Sequence, residues 1–227
     1  MSYFLTELEA LRDEKLKCFS AKLVPNIEAE KIIGVRIPQL RSLAKRLFRE
    51  SPNESSTFLQ NLPHFYLEEY LLHSFLLEQI VNEEELFRQI EYFLPYIDNW
   101  MVCDTFMPKL FKKKPEILLP YINHWLTSTH TYTVRFAIGL LLKFFLGDLF
   151  KLEYLERVAN IKSGEYYINM MIAWFFAEAL TKQKDVAFLF IKEKRLEDWV
   201  HNKTIQKARE SKRIDDVFKA ELSSFKV

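Results

Sequence analysis

Apolar residues recur at the spacing of an α-helix through almost the whole chain, and this pattern most constrains its fold. No segment alternates polar and apolar residues as a half-buried strand would, and no glycine-rich nucleotide-binding loop is present. The 227 residues include only four glycines, and hydrophobic residues make up 49% of the chain. The sequence therefore predicts an all-helical protein with enough apolar residues for a large core.

Breaks between the periodic segments are short, and proline or a single glycine marks several of them, as at Pro115, Gly147 and Gly164. The first helical segment is predicted over residues 3–23. The others are predicted over 39–49, 65–80, 83–97, 100–113, 115–126, 132–145, 151–161, 165–181, 184–194 and 202–214.

The predicted helices are grouped in pairs. The second helix of each pair begins near His64, Trp100, Thr131 and Glu165, at intervals of about 31 to 36 residues, which is typical of helical-pair repeats. Stacked pairs form a curved solenoid whose second helices line the concave surface. We therefore expect one HEAT-like repeat domain over residues 1–227, built as a right-handed superhelix of antiparallel helix pairs.

The formal net charge of +1 conceals an uneven distribution. Residues 51–99 contain nine acidic residues against one basic residue, so the rest of the chain is net positive. Basic residues cluster at Arg36, Arg41, Lys45, Arg46 and Arg49, at Lys109, Lys112, Lys113 and Lys114, and at Lys203, Lys207, Arg209, Lys212 and Arg213. Each cluster is compatible with a solvated helix face or with a surface that binds a polyanion.

Cysteine and histidine usage argues against disulfide and metal sites. Cys18 and Cys103 form no CxxC pair, which predicts a reduced, cytoplasmic protein with Cys103 as a small core residue. The five histidines lack zinc-ligand spacing, so no metal site is expected. The apolar run over residues 136–150 is interrupted by charge and is too short to span a bilayer, so we expect a soluble protein.

Trp100 and Asp104 are four positions apart, which places an indole ring and a carboxylate one turn apart on the same face of a helix. A buried carboxylate is costly unless it is paired, so the two residues form either a satisfied structural contact or a functional site. Arg135 and Trp174 fall on two further second helices, so the four residues could converge on one groove. Asp104 could equally bond Arg135 across adjacent helices, and each tryptophan could belong to the core. Three tyrosines could stack on DNA or fill the interfaces between repeats, and packing is expected of them: Tyr132, Tyr166 and Tyr167.

Five sequence blocks follow one another along the chain. The first is GVRIPQLRSLAK at residues 34–45, and the second is Asn99-Trp100 followed by Asp104. The later blocks are YTVRFA at residues 132–137, YYINMMIAW at 166–174 and NKTIQKARES at 202–211. In this order they resemble the blocks of the AlkD-like DNA alkylation repair proteins, and the resemblance covers most of the chain.

The resemblance implies a HEAT-like solenoid that holds duplex DNA in its concave groove, and we expect a monomer without a metal or other cofactor. Active members of this family hydrolyse the N-glycosidic bond of purines alkylated at N3 or N7, leaving the damaged base in the duplex. By position, the implied catalytic residues are Asp104, Trp100 and Trp174. The implied DNA-binding residues are Arg135, Arg36, Arg41, Lys45, Lys203, Lys207, Arg209 and Arg213.

Two features depart from the pattern of active family members. Only residues 24–33 separate the first predicted helix from Gly34, where active members place a further helix that contacts DNA. Met170 and Met171 stand where a basic residue is expected. Three interpretations therefore stay open: an alkylpurine glycosylase, a catalytically inactive relative that binds distorted or branched DNA, and a protein-interaction scaffold.

Overall fold

The computed structural model describes residues 3–227, and over that range the protein is helical and has no β-strand. The α-helices are α1 (Tyr3–Glu9), α2 (Glu14–Leu23), α3 (Ile37–Glu50), α4 (Pro52–Gln60), α5 (Leu67–Leu77), α6 (Glu83–Phe93), α7 (Trp100–Thr105), α8 (Lys109–Lys113), α9 (Leu118–Trp125), α10 (Thr131–Phe144), α11 (Leu152–Ala159), α12 (Tyr166–Lys182), α13 (Lys184–Lys192), α14 (Asp198–Glu210) and α15 (Asp216–Ser223). Short 3-10 helices lie at Ala29–Lys31, Leu94–Tyr96 and Pro115–Ile117. The predicted all-helical fold is confirmed.

The chain divides into two compact units, of which the first extends to Pro115 and the second is Glu116–Val227. In the first unit α3, α5 and α7 pack side by side in that order, and α4 and α6 pack on α5. Helix α5 is therefore enclosed by its neighbours, and Glu69 is the only one of its 11 residues that is not buried.

The second unit repeats this arrangement. Helices α10, α12 and α14 pack side by side, while α9 packs on α10, α11 and α13 pack on α12, and α15 packs on α14. Packing of alternate helices on one another is what stacked helix pairs produce, and it is consistent with a helical solenoid. The hand of the superhelix and the organisation as a single domain remain predictions.

The starts of the second helices agree with the predicted repeat. The observed first residues are Leu67, Trp100, Thr131 and Tyr166. Each lies within three residues of the predicted position.

The predicted helix over residues 3–23 is wrong, because two helices, α1 and α2, occupy that range. The carboxylate of Asp13 caps α2 by accepting hydrogen bonds from the backbone N–H groups of Lys15 and Leu16 at 3.0 and 3.1 Å. The N–H of Asp13 donates to the carbonyl oxygen of Gly34 at 2.8 Å. Gly34 has a φ of +92°, and a Cβ there would lie 2.3 Å from the Asp13 carbonyl oxygen, so this contact requires glycine.

The predicted helix over residues 100–113 is also divided, into α7 and α8. Pro108 lacks a backbone N–H and occupies the N-cap position of α8. The residues between the two helices adopt extended backbone at Phe106 and Pro108. Helix α7 is therefore only six residues long.

Two further helices, α4 and α15, were not predicted, and the last predicted segment is displaced. Helix α4 begins at Pro52, which the sequence pattern had assigned only to the end of the preceding helix. The segment predicted over residues 202–214 corresponds to α14, which begins at Asp198, and Asp215 then caps α15 through the N–H of Phe218 at 2.8 Å.

The connection between α2 and α3 contains a 3-10 helix and no α-helix, in line with the short connection predicted there. The buried carboxylate of Glu68, on α5, accepts hydrogen bonds from the N–H groups of Ile33, Gly34 and Val35 at 2.8, 2.7 and 3.3 Å. Burial raises the pKa of Glu68, and the three hydrogen bonds act against that rise. One side chain thus holds the connection against the centre of the first unit.

Candidate functional site

Helix α7 carries Trp100 and Asp104, and Asn99 determines where it begins. The side-chain oxygen of Asn99 accepts a hydrogen bond from the N–H of Val102 at 3.0 Å, and its amide donates to the Asp98 carboxylate at 2.9 Å. Asn99 is completely buried. Because the cap is fixed, the first helical residue is Trp100.

The ring of Trp100 is held in one orientation by the first unit. Its indole N–H donates to the carbonyl oxygen of Leu23, the last residue of α2, at 3.0 Å. The side chain is partly exposed, in contrast to Trp125, which lies in the core of the second unit. The indole therefore bridges two helices and still presents part of its surface to solvent.

Asp104 lies one turn after Trp100 in the same helix, so the two side chains share one face, as the sequence predicts. Asp104 is half-buried. It stands in the last turn of α7, where the helix dipole does not stabilise a negative charge. A carboxylate at this position is better suited to interact with a cation than to stabilise its own helix.

The C-terminal end of α7 is fixed by a buried carboxylate, Glu78. Arg41 contacts Glu78 through Nη1 and donates from Nη2 to the carbonyl oxygen of Thr105 at 2.9 Å. The N–H of Met107 donates to Glu78 Oε1 at 2.8 Å. Burial raises the pKa of Glu78, and the Met107 and Arg41 contacts offset that rise only in part.

In the second unit, Arg135 of α10 is 1% exposed. Its Nη1 donates to the carbonyl oxygen of Tyr167 at 2.7 Å. The guanidinium carbon lies 5.2 Å from the ring centroid of Trp174 and 5.9 Å from that of Tyr167. Trp174 itself is 36% exposed, so a buried cation lies against an indole that keeps an open surface.

The other predicted DNA-binding residues differ in whether their side chains already pair with other side chains of the protein. Arg36 pairs with Asp13 at 2.9 Å, and Arg213 donates to Glu178. Lys207 pairs with Glu210 at 2.8 Å. Lys45 and Arg209 are exposed. Lys203 donates to Gln206 at 2.8 Å and lies 5.4 Å from the ring centroid of Trp199.

The methionines at the departure from the family pattern are buried. Met170 and Met171 are both in the core of the second unit, so α12 presents no cation at these two positions. Cys103 is also buried, as predicted.

The three tyrosines behave differently from one another. Tyr132 is buried and packs on Tyr167 with ring centroids 5.6 Å apart, as predicted. Tyr166, in contrast, is 57% exposed and meets Trp199 edge to face at 5.7 Å. The expectation that Tyr166 fills an interface between repeats is therefore wrong, because it lies at the first position of α12.

Neither a metal centre nor a membrane span is found in residues 3–227. No group of three or more His, Cys, Asp or Glu side chains in this range is placed to hold a metal ion. No helix in the same range combines the length and the apolar character needed to cross a bilayer. A cavity of about 720 Å³ in the second unit lies by the loops before α10 and α12, and neither Arg135 nor Trp174 lines it.

Asn99 and Glu78 position α7 from its two ends. Asn99 stands in the second sequence block but was not assigned a capping role there, and Glu78 was missed. Asn99 carries a local signal, since asparagine directly before a helical segment is a favourable N-cap. Glu78 carries none, because its partners Arg41 and Met107 lie 37 and 29 residues away in the sequence.

The site residues fall into two pairs. Trp100 and Asp104 give the first unit an indole and a carboxylate on one helix face, and Arg135 and Trp174 give the second a cation against an indole. A carboxylate can stabilise a developing positive charge, and an indole face can cover a cationic group.

Comparison with known proteins identifies one family. The family model described as DNA alkylation repair enzyme matches residues 4–212. No curated protein matches the chain significantly.

Proposed function

Because the chain belongs to the DNA alkylation repair enzyme family, with a role in the repair of alkylated DNA, we propose that it is a DNA glycosylase. The proposed substrate is duplex DNA containing purines that carry a positive charge after alkylation at N3 or N7. The proposed reaction is hydrolysis of the N-glycosidic bond by one activated water molecule. The observation that carries the proposal is the pairing of Trp100 and Asp104 on one face of a helix fixed at both ends.

The chemistry of the substrate explains why so few groups are needed. An alkylated purine is already cationic, so it leaves as a neutral base when it takes the electron pair of the C1′–N bond. The sugar then carries oxocarbenium-like positive charge in the transition state. Water adds its oxygen to C1′ and releases one proton, which completes the hydrolysis.

Asp104 is proposed to be the electrostatic centre of this reaction. Its carboxylate would stabilise the positive charge on the sugar and accept a hydrogen bond from the attacking water, which orients the oxygen towards C1′. The restraints at Leu23 and at Glu78 reduce the reorganisation that α7 must undergo when DNA binds.

Trp100 and Trp174 are each proposed to offer an indole face to the cationic substrate. An indole face contributes about 1 kcal/mol to binding a cation at an exposed site and more when the site is desolvated. Arg135 lies against Trp174 and would hold that ring in place. Because the guanidinium is buried, it would act on a phosphate through its charge and not by direct contact. The damaged base would remain in the duplex, so no base-sized pocket beside these residues is required.

A second candidate function is recognition of distorted or branched DNA without cleavage. The observation that favours it is the burial of Met170 and Met171, which leaves α12 without a cation at either position. Fewer contacts to the DNA backbone would weaken the grip on an intact duplex.

Measurement of base release and DNA binding on the same samples separates these functions. A glycosylase releases 7-methylguanine from methylated duplex DNA in an enzyme-dependent manner. A non-cleaving relative binds DNA with salt-dependent affinity and releases no base above background. A protein-interaction scaffold shows no DNA affinity even at low salt, and that result would contradict both candidate functions.

A further inference from the structure

The first unit contains six arginines, and all of them contact carboxylates of the protein. The pairs are Arg12 with Glu9 and Glu14, Arg36 with Asp13, Arg41 with Glu78, Arg46 with Glu7, Arg49 with Glu50 and Arg88 with Glu85. Exposed ion pairs of this kind are weak, but a phosphate must displace a carboxylate before it can bind such an arginine. The arginines of this unit are therefore less available to DNA than an unpaired cation would be.

In contrast to these arginines, the lysines of α8 and of its C-cap form no ion pair within residues 3–227. Lys109, Lys112, Lys113 and Lys114, which we call the α8 lysine patch, are all exposed. The side chains of Lys112, Lys113 and Lys114 form no hydrogen bond or ion pair within residues 3–227. Lys109 acts on Glu78 only through a coulombic interaction. Four cations within six positions repel one another, and a polyanion would relieve that repulsion.

The α8 lysine patch lies on a helix that is anchored to α6 by a buried aromatic contact. Phe111 is completely buried and stacks on Phe87 of α6, with ring centroids 5.9 Å apart and an angle of 23° between the planes. This contact turns the apolar side of α8 inwards and leaves its lysines in solvent.

The patch is also tied to the helix that carries the candidate catalytic carboxylate. Only Phe106, Met107 and Pro108 separate α7 from α8. Glu78 accepts the N–H of Met107, and its partner Arg41 donates to the carbonyl oxygen of Thr105. The patch therefore starts five residues after Asp104, across a connection held by hydrogen bonds.

We propose that the α8 lysine patch binds the backbone phosphates of duplex DNA beside the site of base excision, an inference that rests on the proposed function. Lysine suits this role because its ammonium is a compact charge that needs no directional match with a phosphate. Contacts of this kind position the duplex without reading its sequence. Duplex DNA carries about one negative charge per 1.7 Å along its axis, so several phosphates lie within reach of a cluster of lysines.

The test is the salt dependence of binding to an unmodified duplex. Each lysine–phosphate contact contributes about 0.9 to the slope of log K against log salt concentration. The triple variant Lys112→Gln, Lys113→Gln and Lys114→Gln should lower that slope by about 2 to 3. Circular dichroism and thermal melting establish that the variant folds, which is expected because all three side chains are exposed.

The matched control removes three lysines at ends of other helices. Lys151 precedes α11, Lys194 follows α13 and Lys226 follows α15, and all three side chains are exposed. Their replacement by glutamine changes the net charge by the same amount. The proposal expects the control to change the slope by less than about one, the equivalent of one contact.

Three outcomes would overturn the proposal. The first is an equal slope for the two triple variants, which would mean that only net charge matters. The second is a wild-type protein that does not bind duplex DNA at low salt. The third is a triple variant that keeps its DNA affinity but loses binding to vesicles containing phosphatidylserine or to polyglutamate, which would assign the patch to a membrane or an acidic protein.

The outcome is separable from that of the proposed glycosylase. Binding is measured on unmodified DNA, so it does not depend on base release. A slope change without release of 7-methylguanine supports the patch and contradicts the glycosylase. Release of 7-methylguanine with equal slopes for the two triple variants supports the glycosylase and contradicts the role of the patch.

Discussion

The indole N–H of Trp100 donates to the carbonyl oxygen of Leu23 at 3.0 Å, across 77 residues of sequence. This hydrogen bond fastens the first residue of α7 to the last residue of α2. The orientation of a candidate catalytic ring therefore depends on a helix near the N-terminal end of the described chain. The N-terminal helices are thus linked to the start of α7 through this hydrogen bond.

Replacement of Trp100 by phenylalanine tests this coupling. Trp100→Phe keeps an aromatic face but removes the donor, and we expect a loss of about 1 kcal/mol in unfolding free energy. Base release should fall as well, because the smaller ring is no longer fixed. Urea denaturation and single-turnover release of 7-methylguanine measure the two effects. Trp199→Phe, at an exposed indole on α14, is the control and should leave both quantities unchanged.

Arg41→Met tests the clamp at the other end of α7. Loss of the guanidinium leaves the buried Glu78 carboxylate short of its charge partner, and we expect destabilisation of about 1 to 3 kcal/mol at pH 7. Arg36→Met, which breaks an exposed pair, should cost less than about 1 kcal/mol. Equal losses in urea denaturation would contradict the role assigned to Glu78.

The pH dependence of the Arg41→Met variant has a defined sign. The folded-state pKa of Glu78 is raised by burial, so the charged form of this group is less favourable in the folded protein than in the unfolded chain. Stability from this group is present below its unfolded pKa of about 4.5 and is lost as pH rises through the raised value. The variant should therefore differ less from the wild type at pH 5 than at pH 7.

His64 and His73 should make the first unit sensitive to acid. His64 Nε2 and His73 Nδ1 lie 2.9 Å apart, and burial lowers the pKa of His64 to about 4 and that of His73 well below its usual range. The unfolded chain takes up protons below pH of about 6.5, whereas the folded chain does not. Stability should therefore fall as pH drops from about 6.5 towards 4, by about 3 kcal/mol for His64 alone.

His64→Gln measures this contribution, because glutamine can still donate to His73 but does not titrate. The variant should lose less stability than the wild type between pH 6.5 and pH 4.5 in urea denaturation. His124→Gln, at an exposed position on α9, should follow the wild-type profile. A His64→Gln profile parallel to that of the wild type would contradict the assignment.

Arg135→Met tests the cation beneath Trp174. The substitution removes the donor to the Tyr167 carbonyl and the charge against the indole, and we expect a loss of about 2 to 4 kcal/mol. Arg213→Met, at an exposed pair with Glu178, should cost less than about 1 kcal/mol. Thermal melting followed by tryptophan fluorescence compares the two, and similar losses would show that Arg135 has no special structural role.

Much of the fold could be predicted because its signals are local. Apolar periodicity gave the starts of the second helices to within three residues, and Trp100 and Asp104 do share a face of α7. The break between α1 and α2 was missed although Asp13, directly before α2, is a favourable N-cap residue. The hydrogen bond from Asp13 to Gly34, between residues far apart in the sequence, carries no such local signal.

In the candidate site, too, some features could be predicted from the sequence and others depend on tertiary contacts. Residue types and order were sufficient to single out Arg135 and Trp174, but not to show that the guanidinium is buried against the indole. The sequence likewise marked Arg41 as a DNA contact, since nothing near it indicates its pairing with Glu78. Burial and ion pairing decide which basic side chains can contact DNA, and both depend on tertiary structure.

The central claim is that the carboxylate of Asp104 stabilises the transition state of base release. Asp104→Asn keeps the shape of the side chain and removes its charge. Asp98→Asn, two residues before helix α7, is the matched control: it removes an exposed charge but keeps an oxygen that can accept the hydrogen bond of the Asn99 amide.

The most direct test is the single-turnover rate of 7-methylguanine release from methylated duplex DNA for the wild type and these two variants. We predict a decrease of about 100-fold or more for Asp104→Asn, comparable to the loss of one oxyanion-type contact, with unchanged DNA affinity and a wild-type rate for Asp98→Asn. A rate for Asp104→Asn equal to that of the wild type, with the fold intact, would contradict the account.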